Sequence, residues 1–149
     1  MKSNFEFLNR YWPVLAQLGA NAENYLYSDP NACLYKLGMF AERLVQEILI
    51  FEHMDEPKTD NTHANRIRLL KRAGLLPHEI DNTLYVLRKT RNSAVHTGTD
   101  SVDEAKTLLS MTYNLAVWFM ETYGDWGYIA EDFVMPEEVH QADLQSVIE

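Results

Sequence analysis

The stretch SDPNACLYKLGMFAERLVQEILIF, Ser28–Phe51, decides the fold. Asp29 can accept hydrogen bonds from the free amides of a helix start. Pro30 stands at the first helical position, where its missing N–H costs nothing. Apolar residues then return at Leu34, Leu37, Ala41, Leu44 and Ile48, the three-and-four spacing of one helix face. A face of that length must be covered by other helices. The pattern fades at FEHMDEPKTDNT, a polar loop closed through Pro57.

The flanking segments repeat the helical period. Phe5 to Tyr27 reads as one or two helices, with Pro13 starting the longer one. A short third helix is capped by Asn61 or Thr62, points Ile67 and Leu70 inward and stops at Gly74. Leu75-Leu76-Pro77 turns the chain. A fourth helix carries Ile80, Leu84 and Leu87 inward, has Arg91 in register with them, and is expected to end at Gly98. Ser101-Val102-Asp103-Glu104 is a capping box that opens a fifth helix. That helix should bury Leu108, Met111, Leu115 and Trp118 or Phe119, and Gly124 should stop it. The aromatic run TYGDWGYIAEDF, with Trp126, Tyr128 and Phe133, is expected to pack back on the bundle rather than stack bases. Strand-like alternation is absent. The expectation is an all-α, up-and-down antiparallel bundle of four to five helices over residues 1–136, followed by an acidic tail or linker over 137–149.

Composition narrows the function. A single cysteine, Cys33, permits no disulfide within one chain and reads as core. The start lacks the apolar stretch of a signal peptide, and no run approaches the ~18 apolar residues of a membrane span. These features predict a soluble, cytoplasmic protein with no membrane partner. The net charge of −9 opposes bulk attraction to nucleic acid. Charge is segregated, however. Residues 63–96 hold Arg66, Arg68, Lys71, Arg72, Arg88, Lys89 and Arg91 against Glu79 and Asp81, a local +5 that leaves −14 elsewhere. Such a run is ordinarily the solvated face of two helices. The sharper reading is a basic surface that holds the phosphates of RNA or DNA. Glu52-His53-Met54-Asp55-Glu56 collects metal-type ligands without the helical H-E-x-x-H spacing, so neither a metal site nor a cofactor is expected.

The chemistry-bearing segment is LRKTRNSAVHTG, Leu87–Gly98. Arg91 offers a planar cationic fork to a phosphate, and His96 can exchange a proton near neutral pH. Asn92 can orient either group. Together they suffice for RNA cleavage without metal. A base takes the 2′-hydroxyl proton, the oxygen attacks phosphorus, and an acid protonates the leaving 5′-oxygen. Five residues separate Arg91 from His96, about 140° around a helix. Convergence therefore requires the helix to end or distort near Ser93-Ala94, or a second copy to supply the partner. The ordinary alternative is that Arg91 pairs with a carboxylate inside the bundle, Glu42 on the second helix, while His96 caps carbonyls.

RNSAVH at the end of a bundle helix resembles the Rx4–6H motif of the HEPN superfamily (higher eukaryotes and prokaryotes nucleotide-binding domain). That resemblance implies an up-and-down bundle, often dimeric. Active members of the superfamily are metal-independent ribonucleases whose arginine and histidine face each other across the dimer. Arg91 and His96 take the motif's two places, and Asn92 matches the polar residue after the arginine. A closer resemblance spans about residues 1–136. The segments NFEFLNRYWPVLAQLGANAENYLYSDPNACLYKLGMFAERLV, NRIRLLKRAGLLPHEI, LRKTRNSAVH and AVWFMETYGDW are similar to the HEPN-like N-terminal domain, of unknown function, of type I restriction endonuclease R subunits and related helicases.

Those large proteins continue into a nuclease and an ATP-driven DNA translocase. The present sequence holds no G-x-x-x-x-G-K-[ST] loop and no helicase-type acidic box. The resemblance thus implies an N-terminal interaction or regulatory module, not catalytic by itself, that docks against other domains or subunits of a restriction complex or against a second copy as a homodimer. The alternative is a ribonuclease that uses Arg91 and His96 and leaves 2′,3′-cyclic phosphate ends.

Overall fold

The computed structural model describes residues 2–97 and 101–139, with the backbone alone for 94–97. It is an all-α bundle of five helices: α1 Pro13–Tyr25, α2 Pro30–Phe51, α3 His63–Arg72, α4 His78–Thr97 and α5 Val102–Phe119. A 3-10 turn, Glu6–Arg10, precedes α1, and a π-helical turn, Met120–Gly124, follows α5. There is no strand among the described residues. Helix starts are set by side chains that accept the first free amides. Asp29 accepts from Ala32 N at 3.1 Å, Thr62 from Asn65 N at 3.2 Å and Ser101 from Glu104 N at 3.2 Å. Each such cap is worth about 1 kcal/mol. Beyond the end of α3, Gly74 takes φ +73°, the left-handed conformation that lets the chain leave a helix sharply.

Helix α2 is the hub, and it packs on α1, α3, α4 and α5. The expected stripe Leu34, Leu37, Ala41, Leu44 and Ile48 is buried. So are Cys33, Phe40, Val45 and Leu49, because a central helix is covered on several sides at once. Phe5 enters from the N-terminal segment and meets Phe40 edge-on at 5.4 Å. Cys33 is fully buried, and burial pushes its thiol up to about 12. On α5, Leu108, Leu115 and Phe119 are buried while Met111 and Trp118 are half-buried at the margin.

The segment after α5 returns over the N-terminus. Asn4 bridges it with two hydrogen bonds, donating from Nδ2 to Val134 O at 2.8 Å and accepting from Val134 N at 2.9 Å. The hydroxyls of Tyr113 and Tyr27 donate to the carbonyls of Glu131 and Pro136. Tyr128 stacks on Phe7 at 5.2 Å, and Phe133 lies against Tyr113 at 5.4 Å. Trp126 departs from the expectation, being 97% exposed. A turn explains it: Tyr128 N donates to Asp125 O at 3.0 Å, and Gly127 has φ +89°. Trp126 is thereby the second residue of a tight turn, where a side chain projects outward. Of the acidic tail over 137–149, residues 140–149 lie outside the described residues.

Candidate functional site

Arg91 is held by a stripe of α2. Tyr35, Gly38 and Glu42 are three and four residues apart and so share one face of that helix. The aliphatic stem of Arg91 lies on Gly38. A Cβ added there would stand 2.3 Å from Arg91 Cδ and 2.6 Å from its Cβ, so only glycine allows this approach. Arg91 Nη1 donates to Glu42 Oε2 at 3.0 Å, the pairing anticipated from the sequence. The guanidinium carbon also lies 5.1 Å from the centroid of the Tyr35 ring. Arg91 retains 23% exposure of its side chain, and Glu42 35%. Packing, charge and ring contact together fix the arginine in one orientation.

The distortion that would bring Arg91 and His96 together is not present. Backbone helix continues through Ser93 and Ala94 to Thr97, so the two Cα positions remain about 140° apart around α4. The helix has no side-chain reason to break there, since no glycine or proline lies between Arg91 and Thr97. The His96 side chain and Gly98 lie outside the described residues. Asn92, one position past Arg91, is exposed.

His63 is a buried residue of this region that no sequence pattern marks. It is the first residue of α3, only 9% exposed, and neither ring nitrogen has a hydrogen-bond partner among the described residues. Burial drives its pKa down to about 4. Glu42 acts in the opposite direction, and Arg91, Arg66 and Arg88 add to the lowering. Those same charges show that His63 belongs electrostatically to the Arg91–Glu42 pair. A neutral imidazole is therefore buried at the start of α3, within reach of the charges on Glu42 of α2 and Arg88 and Arg91 of α4. A histidine immediately after a threonine cap carries no apolar pattern that would mark it as buried. The glycine in the middle of α2 was the available clue to the arginine cradle, because glycine there costs a helix about 1 kcal/mol relative to alanine.

The basic residues separate into three groups. Arg66 is 8% exposed, and its Nε donates to Glu56 Oε2 at 2.6 Å, so it is a buried ion-pair member rather than a surface contact. Glu52, from the same loop, accepts the Tyr123 hydroxyl at 3.0 Å. Two of the metal-type ligands of that loop are thus engaged elsewhere, and no group of three or more such side chains gathers among the described residues. Arg68, Lys71 and Arg88 line an open groove of about 410 Å³ between α3 and α4, with Ala64 and Ile67 on the α3 side and Tyr85 on α4. Arg72 is exposed but does not line the groove, and Lys89 reaches the Tyr85 ring at 5.7 Å. Among the described residues, no helix is long and apolar enough to cross a membrane.

With the bundle and this junction defined, the class follows from comparison with known families. Residues 20–146 match the family model described as Domain of unknown function (DUF4145), and the chain belongs to that family. Among curated proteins it is similar to the type I restriction enzyme EcoKI endonuclease subunit of Escherichia coli (strain K12), at 31% identity over 151 residues. That alignment takes in 99% of this chain and 12% of the length of the E. coli subunit. No solved structure matches.

Proposed function

We propose that this bundle is an interaction or regulatory module of a type I restriction endonuclease, an N-terminal unit that docks on other domains or subunits of the complex. In this reading residues 1–136 are the module, and 137–149 lead toward the parts that cut and translocate DNA. The observation that carries it is the extent of the similarity: a restriction endonuclease subunit is 31% identical across 99% of the chain. The structural character of the arginine site agrees with a scaffold, because the guanidinium is already engaged by Glu42, Gly38 and Tyr35. Fold alone confers no activity, and a bundle of this kind serves well as a docking unit.

The test uses the E. coli subunit. Its matching segment is deleted in one strain and replaced by this chain in another, and restriction of unmodified phage DNA is scored with assembly of the complex. Deletion should abolish restriction or assembly, and the replacement should restore part of it. Full restriction after deletion would sink the proposal.

A second reading, a metal-independent HEPN-type ribonuclease, is favoured by the RNSAVH motif and by the cation-bearing groove that Arg88 lines earlier on the same helix. Because α4 stays helical through Thr97, this reading requires two copies, each giving Arg91 or His96 to a shared site. It predicts RNA cleavage in EDTA by a homodimer, loss of activity in Arg91→Ala and His96→Ala, and no cut at a 2′-deoxy linkage. Cleavage that persists in both variants rules it out.

A further inference from the structure

The groove between α3 and α4 has no role in the restriction reading, and its chemistry can be read independently. Its floor is apolar, with Ala64 and Ile67. Its rims carry three cations, Arg68 and Lys71 from α3 and Arg88 from α4, with Asp81 and Asn82 also on the α4 side. Tyr85 also lines it, 52% exposed, a large aromatic ring left open to solvent. Arg88 and Lys89 each approach its centroid at 5.7 Å. An exposed ring flanked by cations in a groove matches the combination that holds a nucleic-acid strand, in which bases stack on aromatics while cations track phosphates. An acidic peptide would use the cations and leave the ring idle. A duplex would present its bases already stacked and paired.

We propose that the α3–α4 groove binds single-stranded nucleic acid, with a base stacked on Tyr85 and the flanking phosphates held by Arg68, Lys71 and Arg88. A volume of about 410 Å³ suits one nucleotide unit rather than a folded partner. The rest of the chain is acidic, so attraction is confined to this face. Asp81 is the internal competitor. Its Oδ2 lies 3.2 Å from Lys71 Nζ, which neutralises one cation and repels phosphate. That pair allows a prediction of gain: Asp81→Asn frees Lys71 and tightens binding.

The experiment is fluorescence anisotropy of the whole chain with labelled 12-nucleotide single strands of DNA and RNA over 50–300 mM salt. The comparison ligands are a duplex of the same sequence, free AMP and a poly-glutamate peptide. Single strands should bind with a log–log salt slope of about −2, from three phosphate contacts at roughly −0.7 each. Arg88→Glu and Arg68→Glu should each weaken binding about tenfold and flatten the slope. Tyr85→Ala should cost roughly tenfold with the slope unchanged, since stacking carries no counterion release. Asp81→Asn should tighten binding severalfold, a result that a misfolded variant cannot imitate. Lys2→Glu, remote from the groove, should change little. No binding at 50 mM salt, equal binding of AMP, duplex or poly-glutamate, or indifference to the Arg88, Tyr85 and Asp81 changes would each overturn the proposal.

Discussion

Arg88 and Arg91 lie three residues apart on the same helix and meet opposite environments. Arg91 is clamped against α2 by a carboxylate, an aromatic ring and a glycine that lets its stem lie flat. Arg88 lines the groove with α3, its guanidinium 5.7 Å from the centroid of the exposed Tyr85 ring. The charge is identical, so the difference comes from what lies opposite. Facing Arg91 is the longest and most buried helix of the bundle. Facing Arg88 is α3, which runs alongside α4 but leaves an open groove between them. Charged side chains facing a close-packed partner become parts of the structure, whereas those facing a gap stay available for a ligand.

The largest test of this contrast concerns the closed side. His63 is buried neutral with its pKa near 4, whereas in the unfolded chain it titrates near 6.5. Between those values the unfolded state binds more protons. Stability should therefore fall as pH drops through 6.5 to 4 and level off below, by about 3 kcal/mol from this group. Urea unfolding of the parent and of His63→Leu across pH 7 to 4 isolates the effect, because the carboxylates titrate alike in both. Parallel stability curves would show that His63 is not enclosed as described.

Next in size is Gly38→Ala. The new methyl meets Arg91 at Cβ, Cγ and Cδ, all under 3 Å, and one of these atoms is fixed to the backbone. Despite the better helix propensity of alanine, a loss of about 2 kcal/mol is expected, measured as a lower denaturant midpoint with an unchanged slope. A gain in stability would mean that α2 and α4 do not approach closely here. Arg91→Met keeps the stem and removes the charge. It should cost about 1 kcal/mol, and much less when Glu42→Gln is already present, because the pair is only partly exposed and its members act together. Smallest is Tyr35→Leu, expected to cost about 0.5 kcal/mol for a cation–ring contact near the surface. Additivity of the Arg91 and Tyr35 changes would show that the ring contributes nothing to holding the guanidinium.

Much of this architecture can be read from residue order. The helix starts at Asp29, Thr62 and Ser101 are written in side chains that satisfy local amides, and the α2 stripe requires partners on its apolar side. Glu42 could be named as the partner of Arg91 because Arg91 continues the inward register of Leu84 and Leu87. His63 could not be found this way. Its burial is a product of tertiary packing, and nothing within ten residues of it specifies that. Trp126 reads as a packing residue by composition, yet the Asp125–Tyr128 turn sends it outward.

Residue order alone determined that the chain is helical, where the helices start, and that charge is divided between an acidic body and a basic segment, because caps, periodicity and charge are local properties. Only the tertiary structure decided which of the arginines is spent on packing and which remains open. That outcome depends on how closely α2 and α3 approach α4: a glycine in α2 admits Arg91 to close contact, and an open groove separates α3 from Arg88.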